Sequence, residues 1–379
     1  MPERNDPPVD PALRSPENRA AASRPERGAR RTATWLAVAT VLALLATSCA
    51  TGSTDSSPSS RSGSTRTTSP TASSPTPMPH SSSQGTASAA SVLATPCGWR
   101  TAPPATYASV VWVWMENRSD RQVLESSTMP HLEALARRCG VATNSHAVTH
   151  PSLPNYLAAV SGSTGGVVSD CGPLECPQGR TTLFDQLTAA HESWATYAQG
   201  MPAPCSTTPA YPYAPKHNPA VYFPALRTSC WLDDVPLGTP EAGPLRSALT
   251  AGRMPSFALV VPGLCDDGHD CPDADPDRWI AAWLPLMLTS PQYRTGGMVI
   301  VITYDEGTGG YAGQSCVTSS AAGCRIATVV LSPTTYPGTR DATSVSHYSL
   351  LRTTEDFLGL RTHLGAAADA ASMRAAFHV

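Results

Sequence analysis

The chain has 379 residues, 41% of them hydrophobic, and 26 Lys and Arg residues against 29 Asp and Glu residues give a net charge of −3. This balance excludes a nucleic-acid-binding protein held by a basic surface, because neutralising phosphates requires clustered positive charge. The hydrophobic fraction is sufficient for a substantial core, whereas 37 prolines and only 15% charged residues are unusual for a wholly folded chain. The composition therefore predicts two unlike parts.

The N-terminus has the pattern of an export signal. Several arginines precede an uncharged apolar run over 32–47, and small residues lead from that run to Cys49. A cysteine at this place resembles a bacterial lipoprotein box, so we predict a signal over 1–48 and lipidation of Cys49. An uncleaved membrane anchor is the alternative, since the run is only just long enough to span a bilayer. Both predictions place the remaining chain outside the cytoplasm, as a membrane-anchored cell-surface protein or a secreted one.

A low-complexity segment follows over 49–95, where most residues are Ser, Thr, Pro, Gly or Ala. Such a segment cannot bury enough surface to offset the entropy lost on ordering, so we predict a disordered tether. A single folded domain is then predicted over 96–379. Setting Cys49 apart leaves ten of the eleven cysteines, which predicts five disulfides in an oxidising compartment.

Within the folded region, short β-branched apolar runs alternate with helical patterns. This alternation predicts an α/β fold with a mostly parallel sheet covered on both faces. The predicted strands are Ser109–Met115, Phe257–Val261, Met298–Tyr304 and 326–331, and the predicted helices are Pro130–Arg138, 277–288 and 349–358. A Pro-rich stretch around 200–255 predicts an irregular, disulfide-pinned insertion bordering a substrate pocket. Three cysteine pairs are close enough to bond locally, although spacing leaves connectivity open: Cys171 and Cys176, Cys265 and Cys271, and Cys316 and Cys324.

Three of the predicted strands are followed by polar residues that can bind a cation. These residues are Glu116 and Asn117, then Asp266 to Asp270 with His269 among them, and finally Asp305 and Glu306. In an open α/β sheet, ligands bind beyond the carboxyl ends of the strands, so the three groups should converge. Their oxygen donors suit a hard divalent cation. One such group alone is more often a turn or a helix cap, but three at strand ends favour a site.

Ser152 lies in the segment HPSLPNYL, with Pro154 in the first turn of a predicted helix. Its hydroxyl would lie near a helix N-terminus, which favours an anion, and a nearby cation would favour its deprotonation for attack on phosphorus. Capping the helix is the commoner role of such a serine. His347 precedes the last predicted helix, and a lone histidine there is more often structural than catalytic.

Taken in order, five motifs resemble the bacterial phosphoesterase family that includes secreted acid phosphatases and phosphatidylcholine-hydrolysing phospholipases C, within the alkaline phosphatase superfamily. The motifs are VVWVWMEN, HPSLPNYLAAVSG, LVVPGLCDDGHDC, VIVITYDEG and HYSLLRTTEDFLGL, and they extend over 110–360. The resemblance implies a three-layer, alkaline-phosphatase-like α/β/α fold and phosphoryl transfer through a covalent phospho-enzyme.

The resemblance also implies roles for individual residues. Ser152 is implied to be the nucleophile and Asn155 a donor to a phosphate oxygen. The implied metal ligands are Glu116, Asn117, Ser152, Asp305 and Glu306. Candidates for phosphate binding, leaving-group protonation or a second metal are His150, His269 and His347, with Asp267 and Asp270 as further second-site or phosphate contacts. An oxygen-rich set favours a single Ca, Mg or Mn ion, and histidines joining it would allow Zn.

The expected activity is that of a metal-dependent, acid-phosphatase-like phosphomonoesterase with a phosphoserine intermediate, acting on a small phosphate ester or a phospholipid head group. Asn117 is followed by Arg118 rather than by the His, Ser and Phe usual in phospholipases C, and the expected C-terminal extension after the last motif is short. Both features favour the acid-phosphatase-like branch of the family. Two alternatives stay open. One is a phospholipase C or phosphodiesterase acting on lipid head groups, and the other is a lipid-anchored protein that binds phosphate esters without turnover.

Overall fold

The structure, a computed structural model, describes residues 86–379. The predicted signal over 1–48, the lipidation site Cys49 and most of the predicted tether lie outside the described residues. The end of that tether is corrected, because its last residues form helix α1 (Ala89–Ala94). Val92 of α1 is fully buried, and the backbone of Ala87 exchanges hydrogen bonds with Arg294. Folded structure therefore begins before the predicted boundary at 96.

An eight-stranded sheet forms the centre of the described region. Its strands, with a separate two-stranded pair, are β1 (Ser109–Met115), β2 (Gly140–Ala142), β3 (Ser145–His146), β4 (Trp194–Ala198), β5 (Asp234–Pro236), β6 (Phe257–Val261), β7 (Met298–Tyr304), β8 (Thr328–Leu331), β9 (Arg340–Asp341) and β10 (Val345–Ser346). The order in the large sheet is β5-β4-β6-β1-β7-β8-β2-β9, and β10 pairs with β3. Only β8 runs antiparallel to its neighbours in this sheet. The mostly parallel sheet is confirmed, and three of the four predicted strands have the predicted bounds.

The remaining helices cover the sheet. They are α2 (Asp120–Leu124), α3 (Pro130–Arg138), α4 (Ser152–Ser161), α5 (Leu183–Ala189), α6 (Arg227–Asp233), α7 (Pro244–Ala251), α8 (Ala274–Leu288), α9 (Pro291–Arg294) and α10 (His347–Phe357). Helix α3 is as predicted, α8 begins three residues earlier than predicted, and α10 begins two residues earlier. The fourth predicted strand starts later, at Thr328.

Alternation along β1 explains the three layers. Val111 and Val113 belong to one core, shared with α3 and α8, whereas Trp112 and Trp114 belong to a second core, shared with α4 and α10. Successive side chains of a strand point to opposite faces, so a strand buried on both faces is apolar throughout. The indole of Trp112 donates a hydrogen bond to Thr354 Oγ1 at 3.0 Å. The predicted α/β/α arrangement is confirmed.

The Pro-rich insertion over 200–255 is more regular than predicted. It contains three short 3-10 helices, Pro215–His217, Pro219–Tyr222 and Pro224–Leu226, as well as α6, β5 and α7. Strand β5 extends the sheet beside β4, and Leu237 and Leu245 are fully buried in the core next to it. The insertion therefore packs as part of the domain, and its first 3-10 helix lies against α4.

The described region contains five disulfides, as predicted. They join Cys97 to Cys139, Cys171 to Cys176, Cys205 to Cys230, Cys265 to Cys271 and Cys316 to Cys324. Disulfides persist in oxidising compartments, which indicates an extracytoplasmic protein. None of the helices within 86–379 has the length and apolar character needed to cross a membrane.

Candidate functional site

Three acidic side chains meet at the carboxyl ends of the adjacent strands β6, β1 and β7. We call Glu116, Asp267 and Asp305 the carboxylate cluster, and all three are fully buried. Backbone hydrogen bonds hold the cluster together: Glu116 N–H donates to Asp267 O at 3.0 Å, and Asp305 N–H donates to Met115 O at 3.0 Å. The predicted convergence of strand ends is observed, since parallel strands end at one edge of the sheet.

Burial makes the carboxylate cluster electrostatically costly. It raises the pKa of Glu116 well above its ordinary value, and the charges of Asp305 and Asp267 raise that pKa further. Burial raises the pKa of Asp267 in the same way, and burial followed by the charge of Glu306 raises the pKa of Asp305 to about 7. One oxygen of Asp267 and one of Asp305 have no hydrogen-bond partner among the described residues. Buried, mutually repelling oxygens of this kind fit a cation.

His217 joins the cluster, although the sequence did not predict it. Its Nε2 lies 3.2 Å from Glu116 Oε1 and its Nδ1 lies 3.3 Å from Asp267 Oδ2. Burial lowers the pKa of His217 well below its ordinary value, so the ring is neutral near pH 7 and offers a lone pair. The ring stacks on Tyr156 at 5.3 Å, and the Tyr156 hydroxyl donates to Glu116.

Ser152 is the first residue of α4 and is buried beside the cluster. Its Oγ donates a hydrogen bond to Glu116 Oε2 at 3.0 Å. The loop before it is fixed by Asn155, whose Oδ1 accepts the N–H groups of Val148 and Thr149 at 2.9 and 3.0 Å. The Asn155 amide nitrogen donates to Thr149 O at 2.8 Å and to Pro151 O at 3.1 Å. Asn155 thus positions the loop that presents Ser152. The amide N–H donors that were predicted to bind a phosphate oxygen are used in these contacts with the loop.

Asn117 and Glu306 were both predicted as metal ligands, but their contacts differ from those of Glu116 and Asp305. Asn117 has a left-handed φ of 50° and donates its backbone N–H to Asp305 Oδ1 at 3.0 Å. Glu306 forms an ion pair with His150 Nδ1 at 2.9 Å. Burial lowers the pKa of His150, but the hydrogen bond and charge of Glu306 more than offset this and leave the pKa raised. The ring of His150 is so close to Gly310 that a side chain there would collide with it.

His347 also lies at the cluster, at the start of α10. Its Nε2 is 2.6 Å from Asp305 O, and because a carbonyl only accepts, that nitrogen carries the proton. The ring packs against Trp114 at 4.9 Å. Burial lowers the pKa of His347 to about 4, so the ring is neutral at pH 7. These contacts make His347 a support for the Asp305 backbone.

A chain of hydrogen-bonded polar side chains leads from the cluster to the surface. His269 Nδ1 lies 2.7 Å from Asp270 Oδ1, and its Nε2 lies 3.1 Å from Lys216 Nζ. Lys216 donates to Asp170 Oδ2 at 2.8 Å, and Asp170 Oδ1 accepts the Leu153 N–H at 3.0 Å. Of the predicted second-site residues, Asp267 is therefore central, whereas Asp270 is at the rim with 39% of its side chain exposed.

The donor atoms fit one divalent cation. Ligand atoms of Glu116, His217 and His269 all lie within 4.8 Å of one another, and the carboxylates of Asp267 and Asp305 adjoin them. Oxygen donors suit Ca, Mg or Mn, and the imidazole nitrogens make Zn and Mn compatible as well. The sequence did not reveal His217, Tyr156, Lys216 or Asp170, and the only available signal was the sequence Lys216-His217-Asn218 among the prolines of the insertion.

Similar proteins were found by sequence and by structure. Residues 49–361 match the Phosphoesterase family. Phosphatidylinositol-3-phosphatase of Mycobacterium tuberculosis is 30% identical over 256 residues, which cover 67% of this chain and 78% of that protein. Acid phosphatase of Aspergillus fumigatus is 29% identical over 257 residues, which cover 65% of this chain and 54% of that protein. The chain thus spans about half the length of this acid phosphatase.

Two solved structures show the level of structural similarity. A protein in the alkaline phosphatase superfamily from Vibrio parahaemolyticus has a TM-score of 0.47 and 12% identity, covering 70% of this chain and 69% of that chain. A putative sulfatase from Bacteroides thetaiotaomicron has a TM-score of 0.49 and 10% identity, covering 72% of this chain and 75% of that chain.

Proposed function

We propose, from the premise that the chain belongs to the Phosphoesterase family and is a hydrolase acting on phosphoric esters, that it is a metal-dependent phosphomonoesterase. The proposed enzyme is of the acid phosphatase type and reacts through a phosphoserine at Ser152. One observation carries the proposal. The buried Ser152 hydroxyl donates to Glu116 at 3.0 Å, beside two further buried carboxylates and a neutral imidazole. This arrangement supports the proposal, because it brings a candidate nucleophile, a candidate proton acceptor and a set of possible metal ligands together.

The residues divide the reaction between them. Glu116 accepts the hydroxyl hydrogen bond and so orients the Ser152 oxygen for in-line attack, and the start of α4 favours the negative charge of the phosphate. Asn155 and His347 hold the Ser152 loop and the Asp305 backbone. A divalent cation held by Glu116, Asp267, Asp305 and His217 would supply Lewis acidity and neutralise phosphate charge. The Ser152 proton passes to Glu116 as the Oγ–P bond forms, and the alcohol leaves with the electron pair of the broken P–O bond. Water then hydrolyses the phosphoserine, Ser152 regains its proton, and inorganic phosphate is released.

Replacing Ser152 tests the nucleophile. We expect Ser152→Ala to lower turnover of a phosphomonoester by at least about 10³-fold, as loss of a nucleophile does in other hydrolases. The matched control is Ser161→Ala, because Ser161 is a buried hydroxyl at the other end of α4 that donates to Leu157 O. Acid quenching of the wild type with a ³²P-labelled substrate should trap label on the Ser152 peptide. Substantial activity in Ser152→Ala would contradict the proposed role.

The substrate class is proposed as phosphomonoesters. Among the relatives, one is named phosphatidylinositol-3-phosphatase and others are named acid phosphatases, which makes a lipid monoester a second candidate. Parallel assays on a soluble phosphomonoester, a phosphodiester and phosphatidylcholine separate these substrates. Cleavage of the diester or of phosphatidylcholine at the highest rate would instead favour a phosphodiesterase or phospholipase C.

We also propose that the protein is a surface lipoprotein. The five disulfides support an extracytoplasmic location, and the anchor would be the lipid on Cys49. Mass spectrometry of the mature N-terminus tests this, because a diacylglyceryl group on Cys49 is expected and an intact signal would contradict it.

A further inference from the structure

Lys216 is the only lysine of the sequence, and it lies between the carboxylate cluster and a separate cavity. The cavity has a volume of about 460 Å³ and is lined by Lys216, Asp170, Leu264 and three tyrosines, Tyr211, Tyr213 and Tyr222, together with several prolines. It therefore has a charged inner end next to the site and an aromatic, apolar wall leading outward.

The Lys216 ammonium is held in a fixed place. It donates to Asp170 Oδ2 at 2.8 Å and lies 3.1 Å from His269 Nε2, and Asp170 accepts the backbone N–H of Leu153 at 3.0 Å. Leu153 follows Ser152 directly, so Asp170 ties the ammonium to the residue next to the proposed nucleophile. Lysine is a compact charge with three rotatable donors, which suits contact with a single oxygen.

The cavity wall is rigid on two sides. The hydroxyl of Tyr213 donates to Ser206 O at 2.6 Å, and that of Tyr222 donates to Cys171 O at 2.8 Å. Two disulfides, Cys171 to Cys176 and Cys205 to Cys230, close the loops that carry these partners. Tyr211 differs from both, because 69% of it is exposed. It offers an open ring face at the rim.

We propose that this cavity is the subsite for the alcohol portion of an aryl or similarly apolar phosphate monoester, and that Lys216 stabilises the ester oxygen as it leaves. The proposal rests on the phosphoesterase function proposed above. The Ser152 proton passes to Glu116 and the Ser152 Oγ–P bond forms while the P–O bond to the alcohol breaks. The electron pair of that bond stays on the alcohol oxygen. The Lys216 ammonium donates a hydrogen bond to this oxygen, and water supplies its proton afterwards. The ring of the alcohol packs on Tyr211.

A series of substituted phenyl phosphates, from nitrophenyl to phenyl, tests the role of Lys216. Leaving oxygens that hold negative charge poorly need the most stabilisation. We expect Lys216→Met to lower kcat/KM by about 10-fold or less for the nitrophenyl ester and by about 10²- to 10³-fold for the phenyl ester. Lys216→Arg keeps the charge and should lie between the wild type and Lys216→Met. The matched control is Arg253→Met, which removes an exposed cation just before β6, at the end of the strand away from the site.

The outcomes are distinct. An equal loss across the series in both Lys216 variants would mean that Lys216 only positions Asp170 and His269, and would overturn the inference. A wild-type protein that hydrolyses no phosphomonoester would instead overturn the proposed function.

Tyr211→Ala tests the cavity independently. We expect it to raise KM for phenyl phosphate several-fold more than KM for glycerol phosphate, with Tyr211→Phe restoring the wild-type ratio. Tyr336→Ala is the control, because Tyr336 is similarly exposed, at 56%, and stacks on His378 outside the cavity lining. An unchanged KM ratio in Tyr211→Ala would exclude this cavity as the alcohol subsite.

Discussion

Glu116, Asp267 and Asp305 reach the site from three neighbouring strands, whereas His217 reaches it on a 3-10 turn of the Pro-rich insertion over 200–255. Backbone hydrogen bonds fix the first three residues, since Glu116 N–H donates to Asp267 O in the loop after β6 and Asp305 N–H donates to Met115 O. A disulfide and packing against α4 fix the turn that carries His217. The same chemical centre is thus built from a part that the sequence pattern reveals and a part that only tertiary packing defines.

The largest effect is expected at the strand ends. Asp267→Asn should remove most of the bound metal and lower activity by about 10³-fold, because a buried ligand charge is lost. Asp266→Asn is the neighbouring control, since Asp266 accepts a hydrogen bond from Gln199 instead. Elemental analysis of the purified proteins, together with phosphomonoester turnover, measures both effects. Full metal content in Asp267→Asn would show that the carboxylate cluster is not the ligand set.

Substitution of His217 tests whether the insertion contributes to metal binding as the strand ends do. His217→Ala should weaken metal affinity by at least about 10- to 100-fold, because even the loss of a group that only orients a metal ligand has an effect of this size. His217→Phe keeps the stacking on Tyr156 while removing the nitrogens, so it should show the same loss. His131→Ala serves as the control, because His131 is 60% exposed and pairs with Asp277. Metal titration that gives wild-type affinity for His217→Phe would leave His217 only a packing role.

Removing disulfides compares the support of the two loops beside the cavity. Replacing Cys205 and Cys230, which are 25 residues apart, by alanine should lower the free energy of unfolding by about 3 kcal/mol. Replacing Cys171 and Cys176, only 5 residues apart, should cost about 2 kcal/mol, because a shorter loop restrains the unfolded chain less. Denaturant unfolding measures both values. A larger loss for the shorter loop would contradict this ranking.

A pH dependence of stability is expected within the insertion. Burial raises the pKa of Asp234 to about 7, although hydrogen bonds from Asn218 lower it. The folded protein therefore keeps this proton to higher pH than the unfolded chain, whose Asp pKa is about 4. Asp234 thus makes the free energy of unfolding fall as pH rises from about 4 to about 7, by at most about 1.4 kcal/mol per pH unit.

Asp234→Asn should flatten that part of the stability profile relative to the wild type. Asp341→Asn, on the short strand β9 at the opposite edge of the sheet, should leave the slope unchanged. Identical slopes in the wild type and in Asp234→Asn would show that Asp234 keeps an ordinary pKa.

Elements with a distinctive residue pattern were predicted from the sequence, whereas elements that depend on tertiary packing were not. Strands β1, β6 and β7 were predicted at their observed bounds because they are almost wholly apolar. Polar residues follow β1 and β7 directly, whereas Pro262 and Gly263 follow β6. Helix α1 was not predicted, since its small residues match the composition of a tether and only the burial of Val92 distinguishes it. Helix α10 begins earlier than predicted because the Ser346 side chain takes part in a capping box with Ser349. The pattern of polar and apolar residues alone does not reveal such a box.

The candidate site divides in the same way. Glu116, Ser152 and Asp305 were predicted from strand ends and a helix start, and the structure brings them together. Asn117 and Glu306 follow two of these residues directly, but consecutive residues at a strand end point in different directions, and they contact Asp305 and His150 instead. His217 could not be predicted, because its position depends on how the insertion folds back onto α4.

The disulfide between Cys205 and Cys230 closes the stretch of chain that includes both Lys216 and His217. In a reducing cytosol this bond would be open, and the segment would lose the restraint that keeps these two side chains in place. A freshly made chain would then carry an incomplete centre until it had crossed the membrane. Oxidation on the far side would act as a maturation step, and the phosphorylated metabolites of the producing cell would be spared.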